Sequence, residues 1–176
     1  MSGVSYSLSG ADMMKGCNNK AKIILYPDLY NYKNIDELLS PHGAIFLLYE
    51  YKPRYGHWTL LFRQNDTIEH FDSYNHKPDD EFSFIPEYFR EVNNMMYPRL
   101  TRMLHDSNEE IHYNNFKLQK SGGDIATCGR HCLARLKHKD LNINQYYSML
   151  KYISKKMNIT YDEIVYYMTR EFDSNK

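Results

Sequence analysis

Cysteine is scarce in this sequence, and its number is odd. Only three cysteines occur among 176 residues, at positions 17, 128 and 132. An odd count, in a chain without an apolar signal segment near Met1, is not the pattern of a disulfide-stabilised secreted protein. We therefore expect an intracellular, reducing location in which a cysteine can remain a free thiol.

Long apolar runs and an excess of charge of one sign are also missing. No stretch approaches the roughly eighteen consecutive apolar residues of a transmembrane helix, so no membrane contact is expected. Lys and Arg together number 22, and so do Asp and Glu, which makes the formal net charge zero. A neutral chain has no overall field that would concentrate it on nucleic acid or anionic lipid. Any such binding would have to be local.

The length and the distribution of polar residues predict one folded domain. A chain of 176 residues is large enough for one hydrophobic core and small for two. It contains no internal repeat and no low-complexity linker. Residues 1–18 are small and polar without clear periodicity, which predicts a flexible N-terminal arm. Residues 19–176 are expected to form the single domain.

Apolar periodicity predicts the α+β class, with a small mixed β-sheet packed with helices. The continuous apolar run 44–49 is typical of a buried central strand. Segments 57–63 and 67–72 read as a hairpin, joined by a tight turn at Asn65-Asp66. Helical spacing and capping residues predict five helices, over 34–39, 87–104, 128 onward, 144–157 and 161–172. Pro98 should break the second of them. An edge strand is expected over 111–118.

The most informative segment runs from Gln119 to Leu136, where a Gly-rich loop leads into helical spacing. A helix that begins near Cys128 would place the thiol beside unpaired backbone N–H groups and the positive end of the helix dipole. That environment favours the thiolate, which is the nucleophilic form. The same N–H groups, with the side-chain amide of Gln119, could stabilise the oxyanion that forms when a carbonyl is attacked.

Two upstream segments supply a candidate base and a carboxylate to orient it. His57 stands at the start of an apolar strand, and Asp72 ends the next strand. A tight hairpin would bring both positions to the same end of neighbouring strands. With Cys128 and Gln119 they form the set of groups that thiol-dependent acyl transfer requires. Trp58 is expected to pack beside the histidine and shield the ion pair from water.

Other roles for these residues stay open at the level of sequence. Cys128 could be a buried small hydrophobe, which is the usual fate of a free cysteine. His57 could be a strand histidine without chemistry, and Asp72 a turn-forming aspartate. Asp124, in the loop before Cys128, is a fallback participant in the site.

A zinc site is the main chemical rival, and its spacing counts against it. Structural zinc usually draws ligand pairs from separated knuckles, whereas the candidates here cluster within eleven positions: Cys128, His131, Cys132 and His138. We therefore expect no metal and no cofactor, with both histidines on the helix surface. His70, which alternates with Phe71, is expected to be exposed as well.

Four motifs occur in an order that resembles the adenovirus-protease and SUMO-protease superfamily of cysteine peptidases. The resemblance covers roughly residues 43–138, and the motifs are Gly56-His57-Trp58, Phe71-Asp72-Ser73-Tyr74, Gln119 and Thr127-Cys128-Gly129. Within that superfamily the nearest resemblance is to the capsid-maturation proteases of large DNA viruses and virophages. The family usually places its glutamine closer to the cysteine than the nine positions from 119 to 128 found here.

The resemblance implies a papain-like, adenain-like fold and a role for each motif residue. His57 would be the base, Asp72 its orienting carboxylate, Gln119 an oxyanion-hole donor and Cys128 the nucleophile. Trp58 and Gly129 would support the bound substrate. The implied activity is that of a cysteine endopeptidase that cleaves viral structural or precursor proteins at glycine-containing sites during virion maturation. Its location would be the virion and the host cytoplasm.

The same resemblance leaves other partners and functions open. Adenoviral relatives use a peptide and DNA as activators, and a basic face for DNA could come from the Lys and Arg residues at 130, 135, 137, 139, 151, 155 and 156. A solvated helical surface is the simpler interpretation of those charges. The alternative functions are a deconjugating protease for a ubiquitin-like modifier and a noncatalytic capsid-interaction module.

Overall fold

The structure, a computed structural model, describes residues 3–174 of the chain. The strands in this part are β1 (Lys22–Leu25), β2 (Ala44–Lys52), β3 (Tyr55–Gln64), β4 (Thr67–Phe71) and β5 (Glu110–Tyr113). The helices are α1 (Gly10–Gly16), α2 (Ile35–Leu39), α3 (Glu87–Val92), α4 (Arg99–Asp106), α5 (Cys128–Lys137), α6 (Ile143–Met157) and α7 (Tyr161–Thr169). Short 3-10 helices span Gly3–Ser5, Tyr26–Asn31, Asp80–Phe84 and Arg170–Phe172. No helix within residues 3–174 is long and apolar enough to cross a membrane.

The sheet is mixed, with an antiparallel centre and a parallel strand at each edge. Its order is β1-β2-β3-β4-β5, and β2, β3 and β4 are antiparallel neighbours. β1 pairs in parallel with β2, and β5 in parallel with β4. Asn65, in the turn between β3 and β4, has a φ of 54°, a left-handed conformation that asparagine tolerates. The structure thus confirms the α+β class and the central hairpin.

The two edge strands differ from the sequence prediction. The short run Lys22–Leu25, for which the sequence predicts no element, forms β1 beside the buried strand β2. β5 ends at Tyr113 instead of continuing to residue 118. The reason is Asn114, whose side chain bonds to the backbone N–H and C=O of Asp72. The chain therefore leaves the ladder and runs across the end of β4.

Helices cover both faces of the sheet, because side chains alternate along each strand. On one face, Phe46 and Leu48 of β2 join a core with residues of α1, α5, α6 and α7. On the other face, Ile45 and Leu47 join a core with residues of α2 and α4. Residues at the ends of the central strands therefore lie beside the first turn of α5.

The N-terminal segment is packed, although the sequence analysis predicted a flexible arm over residues 1–18. α1 begins with a capping box, in which Ser9 and Asp12 satisfy each other's backbone N–H groups. Leu8 and Met13 are buried in the core with α5. Too few apolar residues occur here to give a periodic pattern, so the packing was not visible in the sequence. Residues 1 and 2 lie outside the described part, and a domain boundary at residue 19 stays a prediction.

Several polar residues that were expected at the surface are buried. His70 lies inside the structure, and burial lowers its pKa to about 4. Arg130 is buried against Asp173 at 2.8 Å, and His131 against Asp162 at 3.0 Å. Arg135 is buried in a two-pronged ion pair with Glu69. The expectation of a solvated basic helix is wrong at these positions, because each arginine has an acidic partner far away in sequence.

Candidate active site

His57 and Asp72 form a buried pair at the end of the central hairpin. Phe71 is the last residue of β4 and pairs with Leu60, so Asp72 follows the ladder at the end where β3 begins. His57 Nε2 lies 3.0 Å from Asp72 Oδ1. His57 is 4% exposed and Asp72 is 1% exposed. The structure therefore brings together the two residues that the sequence analysis paired.

Further contacts hold the Asp72 carboxylate and backbone in place. Asp72 Oδ1 accepts a hydrogen bond from the backbone N–H of Tyr74 at 2.8 Å. Asn114 accepts from the Asp72 N–H at 3.0 Å and donates to its carbonyl at 2.6 Å. The Tyr74 ring also stacks on the His57 ring, with centroids 4.9 Å apart. The imidazole is thus held by a carboxylate at its edge and an aromatic ring on its face.

The pKa values of the pair are shifted in opposite directions, each of which favours the charged form of its group. Burial lowers the pKa of His57, but the Asp72 carboxylate and the neighbouring Cys128 raise it more, so it lies well above 6.5. Burial raises the pKa of Asp72, but the charge and hydrogen bond of His57 lower it by more. The net result is a pKa below 3.8. An imidazolium stabilised by a carboxylate favours a thiolate beside it.

Cys128 is the first residue of α5, as the Gly-rich loop predicted. Its thiol is buried, and its proximity to His57 helps to raise the pKa of the imidazole. Because Nε2 of His57 is taken by Asp72, Nδ1 is the ring nitrogen left to face the sulfur. The backbone N–H groups of the first turn have no acceptor within the helix. They are the groups on which an anion at this position can be stabilised.

Gly129, the residue after Cys128, allows α5 to approach the sheet closely. A Cβ on Gly129 would lie 3.0 Å from Met13 Sδ and 3.2 Å from Trp58 Cδ1. Trp58 is itself fixed by a hydrogen bond of 3.3 Å from Nε1 to the carbonyl of Leu8. Trp58 and Gly129 are therefore in close packing beside Cys128, with the N-terminal segment as the third partner.

Gln119 is attached to the end of β4 through Ser73. The backbone N–H groups of Leu118 and Gln119 both donate to the Ser73 carbonyl at 2.9 Å. The Ser73 hydroxyl donates to Gln119 Oε1 at 2.7 Å. Since Oε1 is the end that accepts, the amide NH₂ group is the end that can donate elsewhere.

The side chains that could reach a substrate open into one cleft of about 1000 Å³. Its lining includes His57, Trp58, Gln119 and Cys128. One wall comes from the N-terminal segment 5–10, which sequence analysis had placed in a mobile arm. Asp124, the fallback participant, is exposed on the loop before α5 and takes no part in the lining.

Sequence reasoning missed the residues that hold the site from behind. Ser73 does have a local signal, because it lies inside the Phe71-Asp72-Ser73-Tyr74 motif. Asn114 and Asp162 carry no local signal, since each acts on a segment 42 positions away. Contacts at that separation become visible only in the fold.

The candidate zinc ligands of α5 have separate partners. Cys132 Sγ faces the Trp58 carbonyl at 3.5 Å, His131 bonds to Asp162, and His138 bonds to the Ala134 carbonyl at 2.8 Å. Within residues 3–174, three other side chains have ligand atoms within 4.8 Å of one another, those of His57, Asp72 and Glu81. The His57–Asp72 bond already occupies two of those atoms, and Glu81 bonds to His76 at 3.0 Å. The geometry fits a hydrogen-bonded pair.

Two of the seven basic residues proposed for a DNA-binding face are not at the surface. Arg130 and Arg135 are buried in ion pairs, so neither can reach a phosphate. The lysines at 137, 139, 151, 155 and 156 are exposed. Activation by DNA or a peptide stays a prediction.

Comparison with known proteins gives one strong similarity. No family model matches the sequence. In the solved structure of ChlaDub1 from Chlamydia trachomatis, 94% of each chain aligns at 12% identity with a TM-score of 0.39. The uncharacterized protein V9 of Sputnik virophage is 42% identical over 164 residues, which cover 93% of this chain and 94% of that protein. This chain belongs to the same family as that virophage protein.

Proposed function

We propose that this protein is a cysteine peptidase whose nucleophile is Cys128. The observation that carries the proposal is a buried His57–Asp72 pair whose histidine lines one cleft with a cysteine at the first turn of a helix. A buried, charged histidine beside a helix N-terminus is expensive to maintain, and chemistry is a reason to maintain it. A structural cysteine needs neither partner.

The geometry supports acyl transfer by the following steps. His57 holds the proton as imidazolium while the Cys128 thiolate attacks the carbonyl carbon of the scissile amide. The oxyanion accepts hydrogen bonds from the Cys128 backbone N–H and the Gln119 amide. His57 then gives its proton to the leaving amine as the C–N bond breaks. Water attacks the resulting thioester, His57 takes up the proton of that water, and the thiolate leaves.

The substrates we propose are virion precursor proteins cleaved at glycine-containing sites. The virophage relative supports a viral setting, and the motif order resembles the adenain-like capsid-maturation proteases. Trp58 lines the cleft together with Cys128, and we expect its bulky ring to favour a residue without a side chain next to the scissile bond. We propose the virion and the host cytoplasm as the places of action.

Alkylation of Cys128 tests the proposal without knowledge of the substrate. We expect iodoacetamide to modify Cys128 readily at about pH 6 in the wild type, because a charged His57 favours the thiolate. The His57→Ala variant should react much more slowly at that pH, while a His42→Ala variant of an exposed histidine should react like the wild type. Peptide mapping separates Cys128 from Cys17 and Cys132, which are also buried. Equal rates in the wild type and His57→Ala would contradict the proposal.

The alternatives give different results with the active protein. A deconjugating protease would be labelled at Cys128 by a ubiquitin-like modifier that ends in a vinyl electrophile. A maturation protease would instead cleave virion precursor proteins and ignore that probe. A noncatalytic capsid-interaction module would do neither, and its Cys128 would be indifferent to His57.

A further inference from the structure

One buried carboxylate holds both ends of the loop that joins Gln119 to Cys128. Asp162, the second residue of α7, is 3% exposed. Its Oδ2 accepts a hydrogen bond of 3.0 Å from the backbone N–H of Lys120, directly after Gln119. Its Oδ1 accepts one of 2.5 Å from the hydroxyl of Thr127, directly before Cys128. Each anchoring point is therefore the sequence neighbour of one proposed oxyanion donor, Lys120 of Gln119 and Thr127 of Cys128.

A buried histidine completes this arrangement. His131 Nε2 lies 3.0 Å from Asp162 Oδ1, and His131 Nδ1 has no partner among the described residues. Nε2 therefore carries the proton that is donated to the carboxylate. Burial raises the pKa of Asp162, but the hydrogen bonds from His131 and Thr127 lower it by more. The net result is a pKa below the usual value for aspartate. The carboxylate thus remains charged and can accept from all three donors.

Besides Asp162, two contacts hold the loop between the anchoring points: the Ala126 N–H donates to the Val4 carbonyl at 2.8 Å, and the Lys117 side chain donates to the Ser121 hydroxyl. Residues 120–124 are exposed. Gly122 and Gly123 have φ values of 79° and 68°, a region that glycine adopts without strain and that leaves the loop easily bent. The separation of the Gln119 amide from the Cys128 N–H therefore depends in part on what fixes residues 120 and 127, beside the bonds of Gln119 to Ser73.

We propose that Asp162 is a positioning residue for the oxyanion hole, acting through Lys120 and Thr127 on the Gln119 amide and the Cys128 N–H. The inference rests on the proposed function, because an oxyanion hole matters only if a carbonyl is attacked. Donors that are aimed in advance at the developing charge are worth most in a buried site. Without Asp162, Gln119 keeps its bonds to Ser73, but residues 120 and 127 are no longer tied to one carboxylate, so the two donors are held less firmly relative to each other. The His57–Asp72 pair makes no bond to Asp162 and keeps its contacts.

Two reactions of the same thiol separate positioning from folding. Peptide hydrolysis passes through an oxyanion, whereas alkylation by iodoacetamide displaces iodide without forming one. We expect Asp162→Ala to lower kcat by about a hundredfold, the loss typical of one oxyanion donor, and to leave the alkylation rate of Cys128 unchanged. Asp162→Asn should restore most of the activity. Its oxygen can accept from Lys120 and its amide can donate to His131, once the imidazole proton has moved to Nδ1.

A matched control comes from Asp79, another buried carboxylate with three donors. It accepts hydrogen bonds from the Tyr49 hydroxyl, the Thr101 N–H and the Thr101 hydroxyl, and it does not line the cleft. Asp79→Ala should destabilise the fold as Asp162→Ala does and retain wild-type kcat.

The outcomes distinguish this inference from the proposed function. An Asp162→Ala variant with wild-type kcat, or one that loses kcat and alkylation rate to the same degree, would overturn the positioning role alone. A wild-type protein that cleaves no precursor, with a Cys128 that reacts independently of His57, would overturn the proposed function, and the positioning role with it. A selective loss of kcat in Asp162→Ala, rescued by Asp162→Asn, supports both.

Discussion

The Ser73 hydroxyl donates to Gln119 Oε1 across 2.7 Å, and this bond decides which end of the Gln119 amide can face the cleft. A side-chain amide can rotate by 180°, which exchanges the positions of its oxygen and its nitrogen. With the oxygen held by a donor, the NH₂ group is left for the substrate. The orientation of a proposed oxyanion donor thus depends on a serine that follows Asp72 in sequence.

Replacement of Gln119 should separate attack on a carbonyl from reactivity of the thiol. We expect Gln119→Ala to lower kcat by about a hundredfold, as loss of one oxyanion donor does. Alkylation of Cys128 should be unaffected, because no oxyanion forms. Steady-state hydrolysis and timed iodoacetamide labelling of the same preparation provide the two rates. A wild-type kcat in this variant would remove Gln119 from the oxyanion hole.

Ser73→Ala should have a smaller effect of the same kind. The amide keeps its donors but loses the bond that orients it, so a part of the molecules would present the oxygen to the cleft. We expect a reduction in kcat of about tenfold, equivalent to one lost hydrogen bond, with KM little changed. If Gln119→Ala were already present, adding Ser73→Ala should cost almost nothing further. Additive losses in that double variant would contradict the coupling.

The charged His57–Asp72 pair predicts how stability depends on pH. The pKa of His57 in the fold is raised above 6.5, so its stabilisation is complete below that pH and is lost as the pH rises through the folded value. The pKa of Asp72 is lowered below 3.8, so its stabilisation is present above that pH and is lost as the pH falls through its folded value. The pair should contribute most between these limits.

Urea unfolding of the wild type and His57→Asn at several pH values tests this dependence. The difference in free energy of unfolding should be largest at about pH 5 to 6 and should shrink as the pH rises beyond it. His42→Asn, which replaces an exposed histidine, should show no such trend. A difference between wild type and His57→Asn that is constant with pH would mean that the histidine is uncharged in the fold.

The parts of the fold that were predictable from sequence are those with local signals. The hairpin of β3 and β4 shows as two apolar runs around Asn65, and the start of α5 shows as a Gly-rich loop before helical spacing. Both signals come from residues close together in the chain. These signals are sufficient to predict that His57 lies near Asp72 and that Cys128 lies on the first turn of a helix.

The parts that were missed depend on partners far away in sequence. Arg130 and Arg135 look like surface residues until their partners are known, because a buried charge is tolerated only when it is paired. The N-terminal segment packs through isolated side chains such as Leu8, which give no periodic pattern. Asp162 acts on Lys120 from a helix 42 positions away. None of these contacts leaves a trace in a short window of sequence.

Gly56 tests how closely β2 and β3 must approach at the start of the site. A Cβ at this position would lie 2.1 Å from the backbone oxygen of Tyr49, so the two strands would have to separate. We expect Gly56→Ala to cost about 2 kcal/mol or more in free energy of unfolding, as overpacking does, and to displace His57 enough to slow hydrolysis. Gly10→Ala, whose Cβ would lie 3.4 Å from Ile23 Cδ1 in ordinary contact, should be neutral in stability. A Gly56→Ala variant with an unchanged unfolding curve would show that the strands can part freely.

The buried ion pair between Glu69 and Arg135 should make a large contribution to the stability of α5. Arg135 reaches the Glu69 carboxylate with two bonds, of 2.7 and 2.9 Å, and also donates to the carbonyls of His138 and Leu141. Glu69→Ala leaves a buried guanidinium without its counterion, which typically costs about 3 to 5 kcal/mol.

Two comparisons identify the cause of that loss. Asp106→Ala, which breaks the exposed pair with Arg102, should change the stability little, because solvent screens surface ion pairs. A double variant, Glu69→Leu with Arg135→Met, removes both charges and should recover part of the loss measured for Glu69→Ala by urea unfolding. The recovery is expected to be incomplete, since the bonds to the two backbone carbonyls are lost as well. A double variant less stable than Glu69→Ala would mean that those carbonyl bonds, and not the unpaired charge, dominate the energetics of this end of α5.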